Sequence, residues 1–177
     1  EHVLRSRGTA ALGYAPPEGL PRLRELIRDH LSRHGVPARS EDILVTSGSQ
    51  QGIDLVARAL INPGDPFLVD SATYAGAIKL LTVAGAQLIP VPSDEHGPEL
   101  VALSRLGRAG TKGFYLIPNN HNPTSTCASA ERRLELVAWS QRSAIPLIED
   151  DYGVDLQLSA EAPPPALRVL DADVIHI

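Results

Sequence analysis

Gly113-Phe114-Tyr115-Leu116-Ile117 opens the stretch that decides the fold. A polar segment follows, then a helical segment over about 129–142 with Ser129 as its N-cap, then the apolar run Ile145-Pro146-Leu147-Ile148. Two strands separated by a helix of ten or more residues pair in parallel through a right-handed crossover. Both runs are apolar rather than alternating, as expected when helices cover both faces of a sheet. The same rhythm extends outward. Upstream, Phe67-Leu68-Val69 reads as a strand before a helix at about 74–84. Gln87-Leu88-Ile89-Pro90-Val91 reads as a strand before a helix at about 98–106, and Pro90 restricts that strand to a sheet edge. Ile43-Leu44-Val45 reads as a further strand, turning through Ser47-Gly48-Ser49 into a helix at about 50–61. Asp173-Val174-Ile175-His176-Ile177 reads as the last strand.

Outside this core, residues 1–18 read as a polar lead punctuated by Gly13, Pro16, Pro17 and Gly19. An amphipathic helix is expected over 20–34, from the spacing of Leu20, Leu23, Leu26, Ile27 and Leu31. Pro21 suits its first turn and Gly35 its stop. Residues 159–167, with Pro163-Pro164-Pro165, read as an exposed loop. The fold class is therefore α/β: three layers, with a mainly parallel open sheet and helices on both faces.

Composition narrows the function. The 177 residues carry 16 basic and 21 acidic side chains, a formal net charge of −5, which argues against a nucleic-acid grip by this segment. Cys127 is the single cysteine, so no internal disulfide framework exists, and a cytoplasmic setting is expected. No apolar run approaches the roughly 20 residues that span a bilayer, so no membrane partner is expected. The N-terminus resembles no signal peptide, and methionine is absent. The chain is expected to be a piece of something longer.

Ligands of open parallel sheets bind beyond the carboxyl ends of the strands. That rule singles out Thr46–Gln51, Asp70–Tyr74, Pro118–Thr124 and Glu149–Tyr152. Ser47-Gly48-Ser49-Gln50 has the glycine, hydroxyls and free helix-start N–H groups of a phosphate cup, though each feature also suits an ordinary capped helix. Glu149-Asp150-Asp151 crowds three carboxylates, so at least one should face a cation or accept strong hydrogen bonds; a solvated acidic loop is the plain alternative. Tyr74 can stack on a flat ring or cover the sheet edge. Asn122, biased toward extended backbone by Pro123, can donate its amide. His121 has no second His or Cys at ligand spacing, so no metal site is expected.

Singly these signals are weak, but their order is specific. The chain resembles the fold-type I, class I/II aminotransferases, which use pyridoxal 5′-phosphate (PLP). The stretches carrying the resemblance are Gly13-Tyr14-Ala15-Pro16-Pro17-Glu18-Gly19-Leu20-Pro21-Arg22-Leu23-Arg24, Val45-Thr46-Ser47-Gly48-Ser49-Gln50-Gln51, Asn62-Pro63-Gly64-Asp65, Asn122-Pro123-Thr124 and Glu149-Asp150-Asp151-Tyr152. They look most similar to the branch holding 2-aminoadipate-type aminotransferases and MocR-type (GntR-family) transcription regulators.

The resemblance implies residue roles. Ser49 and Gln50 would hold the cofactor's phosphate and Tyr74 would stack on its ring. Asn122 and Tyr152 would reach its phenolic oxygen, Asp150 would sit under its pyridine nitrogen, and Tyr14 would reach the phosphate of a partner subunit in a homodimer. It further implies a lead from a small domain or linker at 1–13 and a PLP-binding large domain at 14–177. Ser125 stands where the family usually has glycine. The Schiff-base lysine of the family falls after the strand matching Val174–Ile177, past the last residue here. Lys79 and Lys112, the only lysines, are at the wrong places to replace it. The expectation is thus an incomplete cofactor-binding domain, itself inactive. Its parent would transfer an amino group from an amino acid to a 2-oxo acid. The alternative is the effector- and PLP-binding half of a MocR-type regulator, with a DNA-binding domain elsewhere. A degenerate domain that no longer binds PLP is the third reading.

Overall fold

The computed structural model describes residues 2–156 and 163–177. The chain forms two compact units, Glu1–Thr46 and Ser47–Ile177.

In the first unit, α1 (His2–Arg7) runs into a 3-10 turn (Gly8–Leu12), followed by α2 (Pro21–Arg33) and a short 3-10 turn (Ser40–Asp42). The lead expected to be a loop is therefore helical in its first half. The breakers Gly13, Pro16, Pro17 and Gly19 all lie beyond that half. α2 matches the amphipathic reading, with Pro21 in its first turn. Gly35, at φ +77°, closes it: the Gly35 N–H donates to Ser32 O and the Val36 N–H to Leu31 O. The strand expected at Ile43–Val45 does not form. Ile43 is extended, but among the described residues no strand pairs with the segment, and the Val45 N–H donates instead to Glu18 O. An apolar run becomes a strand only where a neighbouring backbone takes up its N–H and C=O groups.

The second unit begins with α3 (Ser49–Leu60). It continues through β1 (Pro66–Asp70), α4 (Ala75–Val83), β2 (Gln87–Val91), a small antiparallel hairpin of β3 (Ser93–Asp94) and β4 (Gly97–Pro98), and α5 (Leu100–Leu106). Then come β5 (Phe114–Leu116), α6 (Ala130–Ser143), β6 (Leu147–Glu149), α7 (Leu167–Leu170) and β7 (Ile175–His176). Five strands make one sheet in the order β2-β1-β5-β6-β7, and every pairing in it is parallel. β2 sits at the edge, where the donor missing at Pro90 is tolerated. Ser129 caps α6, its hydroxyl accepting from the Arg132 N–H at 3.1 Å. The loop expected at 159–167 needs correction at one end. Residues 159–162 lie outside the described residues, whereas Leu167 starts α7 and is fully buried, because its side chain joins the core.

Side-chain alternation along the strands builds two apolar layers, one on each face. Leu68, Phe114, Leu116 and Leu147 pack with Leu103 of α5 and Leu136, Val137 and Trp139 of α6. Phe67, Val69, Tyr115, Ile117 and Ile148 pack with Ile53 and Ala57 of α3 and Ala77 and Leu81 of α4. Each fully buried large side chain contributes about 1.5–3 kcal/mol of transfer free energy, so these layers hold the sheet and fix its rims. From β1 the chain passes through α4 to β2 on one side, and from β5 through α6 to β6 on the other. The crevice at the carboxyl ends of β1 and β5 is therefore the topological switch point, the position where open α/β sheets take ligands.

Candidate functional site on the carboxyl rim

α3 starts at an abrupt turn. Its N-cap is Gly48, with φ +129° and ψ 172°, a conformation open essentially to glycine alone, and a Cβ there would meet only open space. The Gln51 side chain folds back to accept the Ser47 N–H at 2.6 Å. The N–H groups at Ser49 and Gln50 have no intrahelical partner by position. Both side chains are exposed, and Gln50 Nε2 donates to Tyr74 Oη at 2.8 Å. Tyr74 follows β1 and caps α4.

The three carboxylates at the end of β6, Glu149 in the strand and Asp150 and Asp151 just past it, are divided by strand alternation. Glu149 is fully buried, accepts the N–H groups of Leu167 (2.7 Å) and Arg168 (3.1 Å), and faces His176 Nδ1 at 3.0 Å. Asp151 accepts Asn119 Nδ2 at 3.0 Å. Asp150, 2% exposed, accepts the Tyr115 hydroxyl on Oδ2 at 2.6 Å, while its Oδ1 is buried with no hydrogen-bond partner. Burial pushes the Asp150 carboxyl above the usual carboxylate range and Asp151 adds to the rise; Tyr115, the Tyr152 backbone N–H and His176 oppose it. The expected strong hydrogen bonds to this acidic cluster are thus present, and one oxygen remains bare.

The first turn of α3 and Asp150 share a rim. The side chain of Ile177 reaches within 3.2 Å of where a Cβ on Gly52 would stand, and the Ile177 carbonyl accepts the Asp151 N–H at 3.0 Å. Tyr152 is half-exposed and donates through Oη to Asn120 O at 2.8 Å. Asn122 is exposed in the turn at 122–124, joined to Pro123 by a cis peptide. Ser125 has φ +59°, the left-handed conformation that glycine adopts without cost. The brace behind this loop is Arg133, fully buried. It donates to the carbonyls of Ala128, Pro165 and Pro118, each at 3.0 Å, and to Asn119 Oδ1 at 2.6 Å.

The structure therefore sets Tyr74, Asp150 and Tyr152 beyond carboxyl ends of strands of one sheet, joins Gln50, next to Ser49 in the first turn of α3, to Tyr74, and puts Asn122 on the loop after β5. Tyr14 belongs to the first unit and is fully exposed. Lys79 lies exposed on α4, and Lys112 precedes β5 beside Asp65. Three residues of the rim were missed by reading the sequence: Tyr115, Asn119 and Arg133. Tyr115 sits inside an apolar strand run and reads as core. Its one signal is a register in which it stands opposite Ile148, two residues before Asp150.

A cavity of about 420 Å³ opens beside the rim, lined by Asp70, Ser93, His121, Thr124 and Thr126 among others, and by none of the residues expected to bind a cofactor. His121 Nε2 meets Asp70 Oδ2 at 3.2 Å and its Nδ1 meets Thr124 Oγ1 at 2.8 Å. Among the described residues no helix is long and apolar enough to cross a membrane.

Comparison with known proteins identifies the family and the fold. The family model for aminotransferase class I and II matches residues 3–160. A 2-aminoadipate transaminase of Thermus thermophilus is 35% identical over 150 residues, covering 84% of this chain and 36% of the relative. The HTH-type transcriptional regulator YisV of Bacillus subtilis is 34% identical over 166 residues, covering 93% of this chain and 34% of the relative. The crystal structure of LysN, an alpha-aminoadipate aminotransferase from Thermus thermophilus complexed with N-(5′-phosphopyridoxyl)-L-leucine, superposes with a TM-score of 0.90 at 33% identity, over 99% of this chain and 45% of that one. The chain thus spans between a third and a half of the length of these proteins.

Proposed function

Because the chain belongs to the class I and II aminotransferases, we propose that it holds pyridoxal 5′-phosphate along the carboxyl rim of its sheet. We further propose that the parent protein moves an amino group from an amino acid to a 2-oxo acid. The observation that carries this reading is Asp150 Oδ1, a buried carboxylate oxygen without a partner. A bare buried acceptor costs about 1–3 kcal/mol, and a protonated pyridine nitrogen supplies the cationic donor that would satisfy it. The residues present therefore fit the cofactor.

When bound, the cofactor supplies an electron sink, deeper when its ring nitrogen keeps a proton. Each residue then has a definite task. Asp150 holds that proton in place by Coulomb attraction and a charge-assisted hydrogen bond. The Ser49 hydroxyl and the helix-start N–H groups of Ser49 and Gln50 bind the phosphate without a cation. Tyr74 covers one face of the ring. The Asn122 amide donates to the phenolic oxygen, Tyr152 Oη turns its one proton from Asn120 O to the same oxygen, and Tyr14 reaches the phosphate of a second copy in a cytoplasmic homodimer. In this reading residues 14–177 belong to the cofactor domain and 1–13 lead into it.

Equilibrium dialysis of the purified chain against PLP tests the proposal. Saturable binding of one equivalent is expected, weakened at least tenfold by Asp150→Ala. No binding, or binding indifferent to Asp150→Ala, rejects it. A second reading has its own support, since regulators such as YisV match at nearly the same identity. In that reading the same site reports ligand occupancy to a DNA-binding domain. Amino transfer by the parent protein, measured with an amino acid and a 2-oxo acid, separates the two.

A further inference from the structure

Among the groups around the rim, the Tyr115 hydroxyl has no part in the roles assigned so far. Tyr115 is 1% exposed, and its ring is packed within the layer of Ile53, Val69, Ile117 and Ile148. A phenylalanine would fill most of that place. Burying a hydroxyl is unfavourable unless it is hydrogen-bonded, and this one donates to Asp150 Oδ2 at 2.6 Å, the short distance typical of a charge-assisted O–H···O⁻ bond.

The sheet register accounts for the reach. Tyr115 on β5 stands beside Ile148 on β6, and Asp150 is two residues further on, hence on the same face and about 6.6 Å nearer the carboxyl rim. A tyrosine leaning along its strand spans that step and a phenylalanine does not.

We propose that Tyr115 is a positioning residue. By occupying Oδ2 it fixes the plane of the Asp150 carboxylate and leaves Oδ1 as the single oxygen for the cofactor's ring nitrogen. This rests on the cofactor reading above. The asymmetry of the carboxylate supports it, with one oxygen clamped and the other buried and bare. The donor is also permanent. Burial first, then the negative charge of Asp150, hold the Tyr115 phenol above its ordinary pKa, so it stays protonated around neutral pH.

The test compares the wild-type chain with Tyr115→Phe, using two readouts. In the cofactor-free chain, 13C NMR follows the titration of the Asp150 carboxyl. The variant should titrate at higher pH, because a hydrogen bond favouring the carboxylate is gone. With PLP labelled by 15N in its ring, the nitrogen resonance of the bound cofactor should move toward the unprotonated position in Tyr115→Phe, with affinity reduced about five- to tenfold. If the variant does not fold, 3-fluorotyrosine in place of the tyrosines keeps ring and hydroxyl while making the donor more acidic, and should move the Asp150 titration to lower pH. An Asp150 titration indifferent to both changes overturns the proposal. So does a bound-cofactor 15N resonance indifferent to Tyr115→Phe. Failure of the wild-type chain to bind PLP is a different result. It defeats the cofactor reading and takes this inference down with it.

Discussion

Arg133→Ala removes a fully buried guanidinium that braces the loop between β5 and α6. Its four oxygen acceptors do not fare equally. Pro118 O keeps the Ala128 N–H at 2.8 Å, and Asn119 Oδ1 keeps a weak Cys127 thiol contact at 3.5 Å. The carbonyls of Pro165 and Ala128 lose the guanidinium, and for Ala128 only a 3.9 Å thiol approach is left. Ala128 O becomes a bared buried acceptor at about 1–3 kcal/mol, and Pro165 O, on an exposed residue, loses a bond to a charged donor worth about 1.5–3 kcal/mol, roughly 2.5–6 kcal/mol together. Water entering the vacated volume relieves part of this, leaving an expected loss of about 3–4 kcal/mol. Against a typical total of about 5–15 kcal/mol, that is a large fraction of the stability. Arg133 also pulls the burial-raised Asp151 carboxyl downward, so its loss burdens the acidic cluster as well. Urea unfolding followed through Trp139, the single tryptophan, reports the effect, since its indole packs edge-on to Phe114 in the same layer. Arg133→Lys should lose about 2 kcal/mol, because one ammonium cannot reach acceptors laid out for a planar fork. A loss below about 1 kcal/mol for Arg133→Ala would show that the brace is not what holds the loop.

Three further outcomes are expected. Burial raises the carboxyl pKa of Asp70, Asp150 and Asp151 in the fold. Stability from such groups is complete below the unfolded carboxylate pKa and is lost as pH rises through the raised folded values. The cofactor-free Asp150→Asn chain should therefore gain on wild type in urea melts as pH rises from the unfolded carboxylate range, about 4, toward neutrality, and a gap that narrows or stays constant would contradict the burial account. Ser125→Gly should stabilise by about 0.5–1 kcal/mol, because a left-handed non-glycine residue costs about 1–2 kcal/mol and the entropy cost of glycine offsets part of the gain. Ala144→Gly, at the left-handed C-cap of α6, should stabilise by a similar amount, and thermal unfolding that shows no rise in midpoint for either would count against the assigned backbone.

Much of the fold was legible because its signals are local. The apolar runs at 67–69 and 113–117 lie on β1 and β5, Pro90 sits on an edge strand, and Ser129 caps its own helix. What was not legible depends on distant partners. Ile43–Val45 has strand composition, yet among the described residues no neighbour pairs with it. The β3–β4 hairpin, two residues a side, is too short for periodicity to show. Leu167 is core only because the chain returns to the sheet at α7. The rim follows the same division. Ser49 opens a helix behind a glycine turn and Asp150 and Tyr152 follow a strand, positions that draw notice by themselves. Tyr115 and Arg133 act across 35 and 14 residues of sequence, and neither bond is written in its own neighbourhood.

The central claim is that one flat, anionic coenzyme bridges the first turn of α3 and the bare oxygen of Asp150. A crystal structure of the chain grown with PLP measures this directly. The account predicts the phosphate against the N–H groups of Ser49 and Gln50, with the ring nitrogen within hydrogen-bond distance of Asp150 Oδ1. A cofactor seated instead in the cavity lined by Asp70 and His121, or one whose ring nitrogen points away from Asp150, would contradict it.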